Sequence, residues 1–224
     1  MLSVVPTARE RARARTTEAI LAAARTQLAE VGAAALSLRA VAREVGLVSS
    51  AVYRYFPSRD ELLTTLIIEA YDAVGEAAEA ARAAADGTAR ESWVAVWRAV
   101  RAWAQAHPAQ YALIYGSPVP GYAAPPDTLP AAGRVGVVLG AIATEGRADD
   151  PSDPADHVVA AIAPDVSATL GVDPRLGPAA VSAWTLLFGT VGFELFGQYE
   201  NVVLDRETYF DHVAGAAATA VGLP

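Results

Sequence analysis

The sequence predicts an all-α protein: a small N-terminal three-helix unit built around a helix-turn-helix, followed by a larger helical domain. Three observations carry that prediction. Apolar residues recur at spacings of three and four in one segment after another, each time marking one face of a helix. Gly32, Gly46, Asp86-Gly87 and Pro108 punctuate those segments where helices should stop. Finally, 53% of the 224 residues are apolar and the mean hydropathy is +0.27, ample material for a core.

Arg9, Arg11, Arg13 and Arg15 alternate near the N-terminus, with no long apolar run behind them. Residues 1–15 therefore read as a flexible arginine-rich arm and not as a secretory signal. Such an arm is either a solvated chain end or a segment that neutralises phosphate or enters a minor groove. A first helix is expected from Thr17 to Val31, with Ile20, Ala24 and Leu28 on its inner stripe.

Residues 37–63, SLRAVAREVGLVSSAVYRYFPSRDELL, organise the chain. Leu38, Val41, Ala42 and Val45 form one apolar face, and Gly46 supplies the permissive backbone that ends that helix. Val52, Tyr55 and Phe56 repeat the spacing in a second short helix. Its other face carries Ser49, Ser50, Tyr53 and Arg54, a small, polar, singly cationic surface suited to a DNA major groove. Ser58 and Glu61 have capping-box spacing and open the next helix.

Here the chain resembles the TetR (tetracycline-repressor-like) family of transcriptional regulators. The matching residues are Ser37-Leu38-Arg39, Val41-Ala42, Gly46-Leu47, Ala51 to Phe56 and Arg59 to Leu62. The resemblance implies a helix-turn-helix DNA-binding domain over 16–67 and a helical ligand-binding and dimerisation domain over 68–224. It implies DNA contact by Arg39, Ser49, Ser50, Tyr53 and Arg54, with Ser37 and Arg59 at phosphates. Where the family places Ser or Thr as the cap of the reading helix, this chain has Val48, which cannot cap. Ser49 is then expected to take the cap, starting the helix one residue late.

A long helix is expected from Asp60 to about Ala85, with Leu63, Ile67, Ala70, Val74, Ala77 and Ala81 as its seam. Trp93, Trp97, Val100 and Ala104 mark the next, with Trp103 alongside, ending before Pro108. A short helix carries Tyr111, Ile114 and Tyr115. Five prolines make residues 116–130 non-helical. The run from Tyr111 to Pro125 resembles the C-terminal subtype of the family known as WHG. Trp93, Trp97, Trp103, Tyr111, Tyr115 and Tyr122 suit either ordinary core packing or an apolar ligand pocket, and the resemblance implies a pocket here.

Another helix is read over 131–148, then a polar, acidic linker from Asp149 to His157 that lacks calcium-loop spacing. Residues 176–193 are uncharged for eighteen positions. That length approaches a membrane span, yet the interspersed Gly, Ser and Thr and the adjoining Glu194 favour a buried protein helix. Gly189 and Gly192 each cost about 1 kcal/mol there relative to Ala, so close approach of another helix is expected to offset them. A last helix runs from Glu207 to Val221. These two resemble the family's dimer pair, giving Trp184, Phe188, Gly189, Gly192, Leu195, Tyr209, Phe210 and Val213 as expected interface residues.

Charge divides sharply along the chain. Residues 1–60 hold nine Arg against five acids, and the rest hold eight Arg against twenty acids. A basic head on an acidic body suits a nucleic-acid binder. No cysteine is present, which excludes a disulfide framework and thiolate metal sites. No nucleophile elbow, phosphate loop or metal spacing supports an enzyme, and no metal or cofactor is expected. The reading is a cytoplasmic homodimer with no membrane association. It would repress transcription from a palindromic double-stranded operator and be released by a small, largely apolar molecule. The alternative is a helical small-molecule-binding or scaffold protein with weakened DNA recognition.

Overall fold

The computed structural model describes residues 7–148 and 154–224. Residues 1–6 of the expected arm and 149–153 of the expected linker lie outside the described residues. The fold is helical throughout, with no strand among the described residues. It divides into two compact units, one comprising 1–69 with 109–126, the other 70–108 with 127–224.

In the first unit, α1 (Ala8–Val31) begins well before Thr17. Arg9, Arg11, Arg13 and Arg15 are therefore helical. The cause is local: the Thr7 hydroxyl accepts from the Glu10 N–H at 3.2 Å, and the Glu10 carboxylate accepts from the Thr7 N–H at 2.7 Å. This reciprocal capping box satisfies two of the amide donors a helix start leaves unpaired. Ile20, Leu21, Ala24 and Leu28 are buried.

Next come α2 (Leu38–Glu44) and α3 (Ser49–Val52). The turn between them is a Schellman motif: Leu47 N–H donates to the Ala42 carbonyl at 2.8 Å and Gly46 N–H to Arg43 at 3.2 Å. Gly46 sits at φ +69, the left-handed conformation that a Cβ disfavours. Val41, Val52 and Phe56 are buried as their spacing predicts. The start of α3 differs from expectation. Val48 itself occupies the cap position, with extended backbone and no side-chain cap bond, and α3 begins at Ser49.

The long helix α4 (Arg59–Ala84) contains the division between units, which falls after Glu69. Ser58 caps it through the Glu61 N–H at 3.1 Å. The segment 109–126, with most of α6 (Pro108–Tyr115), belongs to the first unit.

The second unit holds α5 (Ala89–Ala106), α7 (Leu129–Gly146), α8 (Asp156–Val159), α9 (Pro164–Leu170), α10 (Gly177–Leu195) and α11 (Arg206–Ala220). Its core lies where α5 packs on α7 and α11, and α11 on α10. Thr88 and Glu91 repeat the capping box at α5. Helix α7 approaches α9 closely through Gly140, where a Cβ would collide with the Leu170 carbonyl oxygen. The segment Pro174–Leu195 is long and apolar enough to cross a membrane by composition. Here its Ala183–Leu187–Val191 stripe is buried in the helical core.

Candidate nucleic-acid interface and ligand cavity

The surface expected to read DNA is assembled by α2, α3 and the turn after it. Ser50, Tyr53 and Arg54 are exposed there, Tyr53 to 44% of its surface, and Ser49 is half-buried. Arg39 is exposed on α2. Ser37 precedes α2 without a side-chain cap bond, and its N–H donates to Gln27 Oε1 at 3.4 Å. The Arg13 guanidinium lies 5.1 Å from the centre of the Tyr55 ring. That cation–π contact places a cation of α1 beside the end of the reading helix.

Arg59, expected at a phosphate, is bonded within the chain. Its Nε donates to the Leu36 carbonyl at 3.0 Å, and its Nη2 to those of Ala33 at 2.7 Å and Ala34 at 3.1 Å. The guanidinium thus staples the start of α4 to the short 3-10 turn Ala33–Ala35. Charge-assisted bonds of this kind hold the three-helix head in register.

In the second unit a cavity of about 330 Å³ opens among α7, α9 and α10, with Trp93 of α5 contributing one wall. Every lining side chain is Trp, Leu, Val, Ala or Gly. Trp93 is buried and its indole N–H donates to the Ala214 carbonyl at 3.1 Å. Of the six aromatics expected at a ligand, only Trp93 lines this cavity. Trp97 is buried with its ring centroid 6.0 Å from that of Trp93 and 5.9 Å from that of Phe210. Trp103 is buried beside His107. Tyr111 and Tyr115 pair with ring centroids 5.3 Å apart, and the Tyr122 hydroxyl bonds that of Thr64 at 2.9 Å, all within the first unit. The cavity's remaining lining comes from positions scattered between 136 and 221, with no signature in the linear sequence.

Trp184 was expected at a dimer seam, and it is 45% exposed but also lines the cavity. Among the other expected seam residues, Tyr209 and Gly189 are exposed and Leu195 is half-buried. Phe188, Gly192, Phe210 and Val213 are buried within the chain. Leu186, Phe193 and Phe196, which the sequence reading missed, are exposed apolar residues. With Gly189 they fall at i, i+3, i+7 and i+10, one stripe along α10 that ends on its C-cap residue Phe196. Apart from α10's own neighbouring backbone, nothing among the described residues comes within 4 Å of a Cβ placed on Gly189.

Ion pairs brace the helices behind that stripe. Arg101 makes a two-pronged pair with Glu194, 2.7 Å at each oxygen, and Gln105 adds a bond at 3.0 Å. Arg98 bonds Asp211 at 2.8 Å, which holds that carboxyl below its ordinary pKa. No cluster of three or more metal-ligating side chains occurs among the described residues.

Residues 20–66 match the model described as bacterial regulatory proteins, tetR family. Residues 93–217 match the tetracyclin repressor-like C-terminal domain. The HTH-type transcriptional regulator Rv1816 of Mycobacterium tuberculosis is 43% identical over 199 residues, covering 84% of each chain. A counterpart from Mycobacterium bovis is equally similar. The solved structure of the protein SCO4313 superposes with a TM-score of 0.76 at 34% identity, covering 95% of this chain and all of that one.

Proposed function

The chain belongs to the TetR family of transcriptional regulators, a DNA-binding and non-enzymatic family, and from that premise we propose that it is a ligand-released repressor. It would act in the cytoplasm as a homodimer, with the DNA-reading helices within 16–67, effector binding and pairing within 68–224, the segment 109–126 packing with the head, and a WHG-type C-terminal domain. The observation that carries the DNA reading is the exposed set Arg39, Ser50, Tyr53 and Arg54 around α3. In this reading Tyr53 lies against the backbone, Arg39 or Arg54 reaches a base edge, and Ser37 and Ser49 contribute polar contacts. One four-residue helix reads too little sequence alone. Two heads about 34–36 Å apart read a palindrome, and the exposed α10 stripe supports pairing through a second copy.

Induction follows as a population shift. Effector bound in the apolar cavity favours a dimer state whose heads are spaced wrongly for the operator, and the two binding events oppose each other reciprocally. The test is binding to DNA flanking the protein's own gene, titrated in salt, beside the double variant Tyr53→Ala/Arg54→Ala. Operator binding should weaken steeply with salt and disappear in the variant. A palindrome bound equally well by both proteins sinks the assignment of these residues. The uncapped start of α3 at Val48 favours a second reading, a helical binder with weakened DNA recognition, which no preference over random DNA would support.

A further inference from the structure

The lining of the second unit's cavity restricts what it can hold. No lining residue carries a charge, a hydroxyl or an amide side chain. Two indoles supply the only polar side-chain atoms, and the buried Trp93 N–H is already bonded to Ala214. One wall, α7, is an eighteen-residue helix whose interior backbone groups pair within it, and at the end of the short α9 the Ser167 and Ala168 carbonyls accept from the Val172 and Gly171 N–H groups. An ionised ligand entering here would lose its water and gain no counter-charge, a loss that a neutral molecule avoids. Size narrows the class further. A dry apolar cavity of about 150 Å³ holds one benzene ring, and this one is about 330 Å³.

We propose that the effector is a neutral, hydrocarbon-like molecule on the scale of two or three fused or linked rings, held by shape with no ion pair. The inference rests on the reading that this cavity is the effector site. Leu139, Ala143, Val166 and Leu170 clasp its apolar body, while Trp184, 45% exposed, lets one edge of it meet solvent. A carboxylate or protonated amine of the same skeleton is rejected, so the regulator would respond to a lipophilic compound but not to its ionised derivative.

The experiment compares two fluorescent probes of one skeleton, neutral N-phenylnaphthylamine and its anionic relative anilinonaphthalene sulfonate, on the full-length protein. Each is titrated by fluorescence, and operator affinity is measured with each at saturation. The neutral probe should bind at least ~30-fold more tightly, the minimum expected for leaving a buried charge unpaired. Ala180→Leu, which fills the cavity from a half-buried position, should weaken the neutral probe by at least ~10-fold. Val166→Lys, also half-buried, can keep its ammonium in water and should reverse the preference toward the sulfonate.

Equal or tighter binding of the sulfonate to the unaltered protein overturns the proposal, as does failure of the neutral probe to bind. Indifference to both cavity variants overturns it too, by placing the probe elsewhere. The operator measurement separates the two layers. Neutral probe bound in the cavity with operator affinity unchanged leaves the ligand class standing and removes the effector reading. Operator release by the sulfonate alone does the reverse.

Discussion

Arg59 shows how a side chain can have a role within the fold that its sequence context does not display. An arginine at the mouth of a helix beside a reading motif looks like a phosphate contact. The sequence does not reveal that a 3-10 turn aims its carbonyls at that guanidinium. Lysine cannot reproduce the fork. Arg59→Lys should therefore destabilise the protein by about 1–3 kcal/mol, read from urea denaturation. Arg59→Gln, which also removes the charge, should leave the slope of operator affinity against salt unchanged, whereas loss of a phosphate contact would reduce it by about 0.9 per head. The tryptophans teach a related lesson. Spacing correctly put Trp93 and Trp97 on a buried stripe, but it could not say which of them faces empty space. Trp97 and Trp103 bury their indole N–H groups without an acceptor among the described residues. Asp211 offers a pH test. Arg98 depresses its folded pKa, so the stability it contributes is complete above the ordinary aspartate value of 3.8 and is lost as pH falls through the lower folded value. Asp211→Asn should accordingly lower the Tm at neutral pH and flatten its decline in acid.

Helix ends decide the elements. The long helices were legible because their apolar stripes run over many turns, and Gly46 was legible because its turn needs a left-handed residue. The start of α1 was obscured by four arginines that mimic a solvated arm, although Thr7-Ala8-Arg9-Glu10 spells the same box as Thr88-Ala89-Arg90-Glu91 at α5. The reading helix carries the clearest defect. Val48 has cap backbone geometry, is 70% exposed, and offers its helix no side-chain acceptor. Val48→Ser should raise stability by about 1 kcal/mol, measured as a shift in the denaturation midpoint. If stability falls instead, the exposed valine has a contact that the isolated chain does not show. Gly46→Ala should cost about 1–2 kcal/mol because its backbone must stay left-handed.

At the scale of the molecule, the all-α class and basic head were readable from periodicity and charge alone. The cavity was not, since its walls are brought together from helices far apart in sequence. Self-association stands between these extremes. The uncharged run 176–193 marked α10 as a helix that packs against protein, but only the fold shows which face the chain leaves uncovered. Phe193→Glu, on that face, should shift sedimentation toward a monomer while leaving helical content intact. A dimer that persists would move the interface away from the α10 stripe.

The first unit is not a continuous stretch of chain. It takes its last portion from 109–126, after α5 has been made, and the Thr64–Tyr122 bond closes it. A growing polypeptide must therefore carry the head unfinished through the synthesis of α5, and the head completes only after Tyr122 leaves the ribosome. A gene fragment cut at the end of the helix-turn-helix would lack that closing segment. Portability of the DNA-reading head into a fusion protein consequently depends on residues that lie outside it in the sequence.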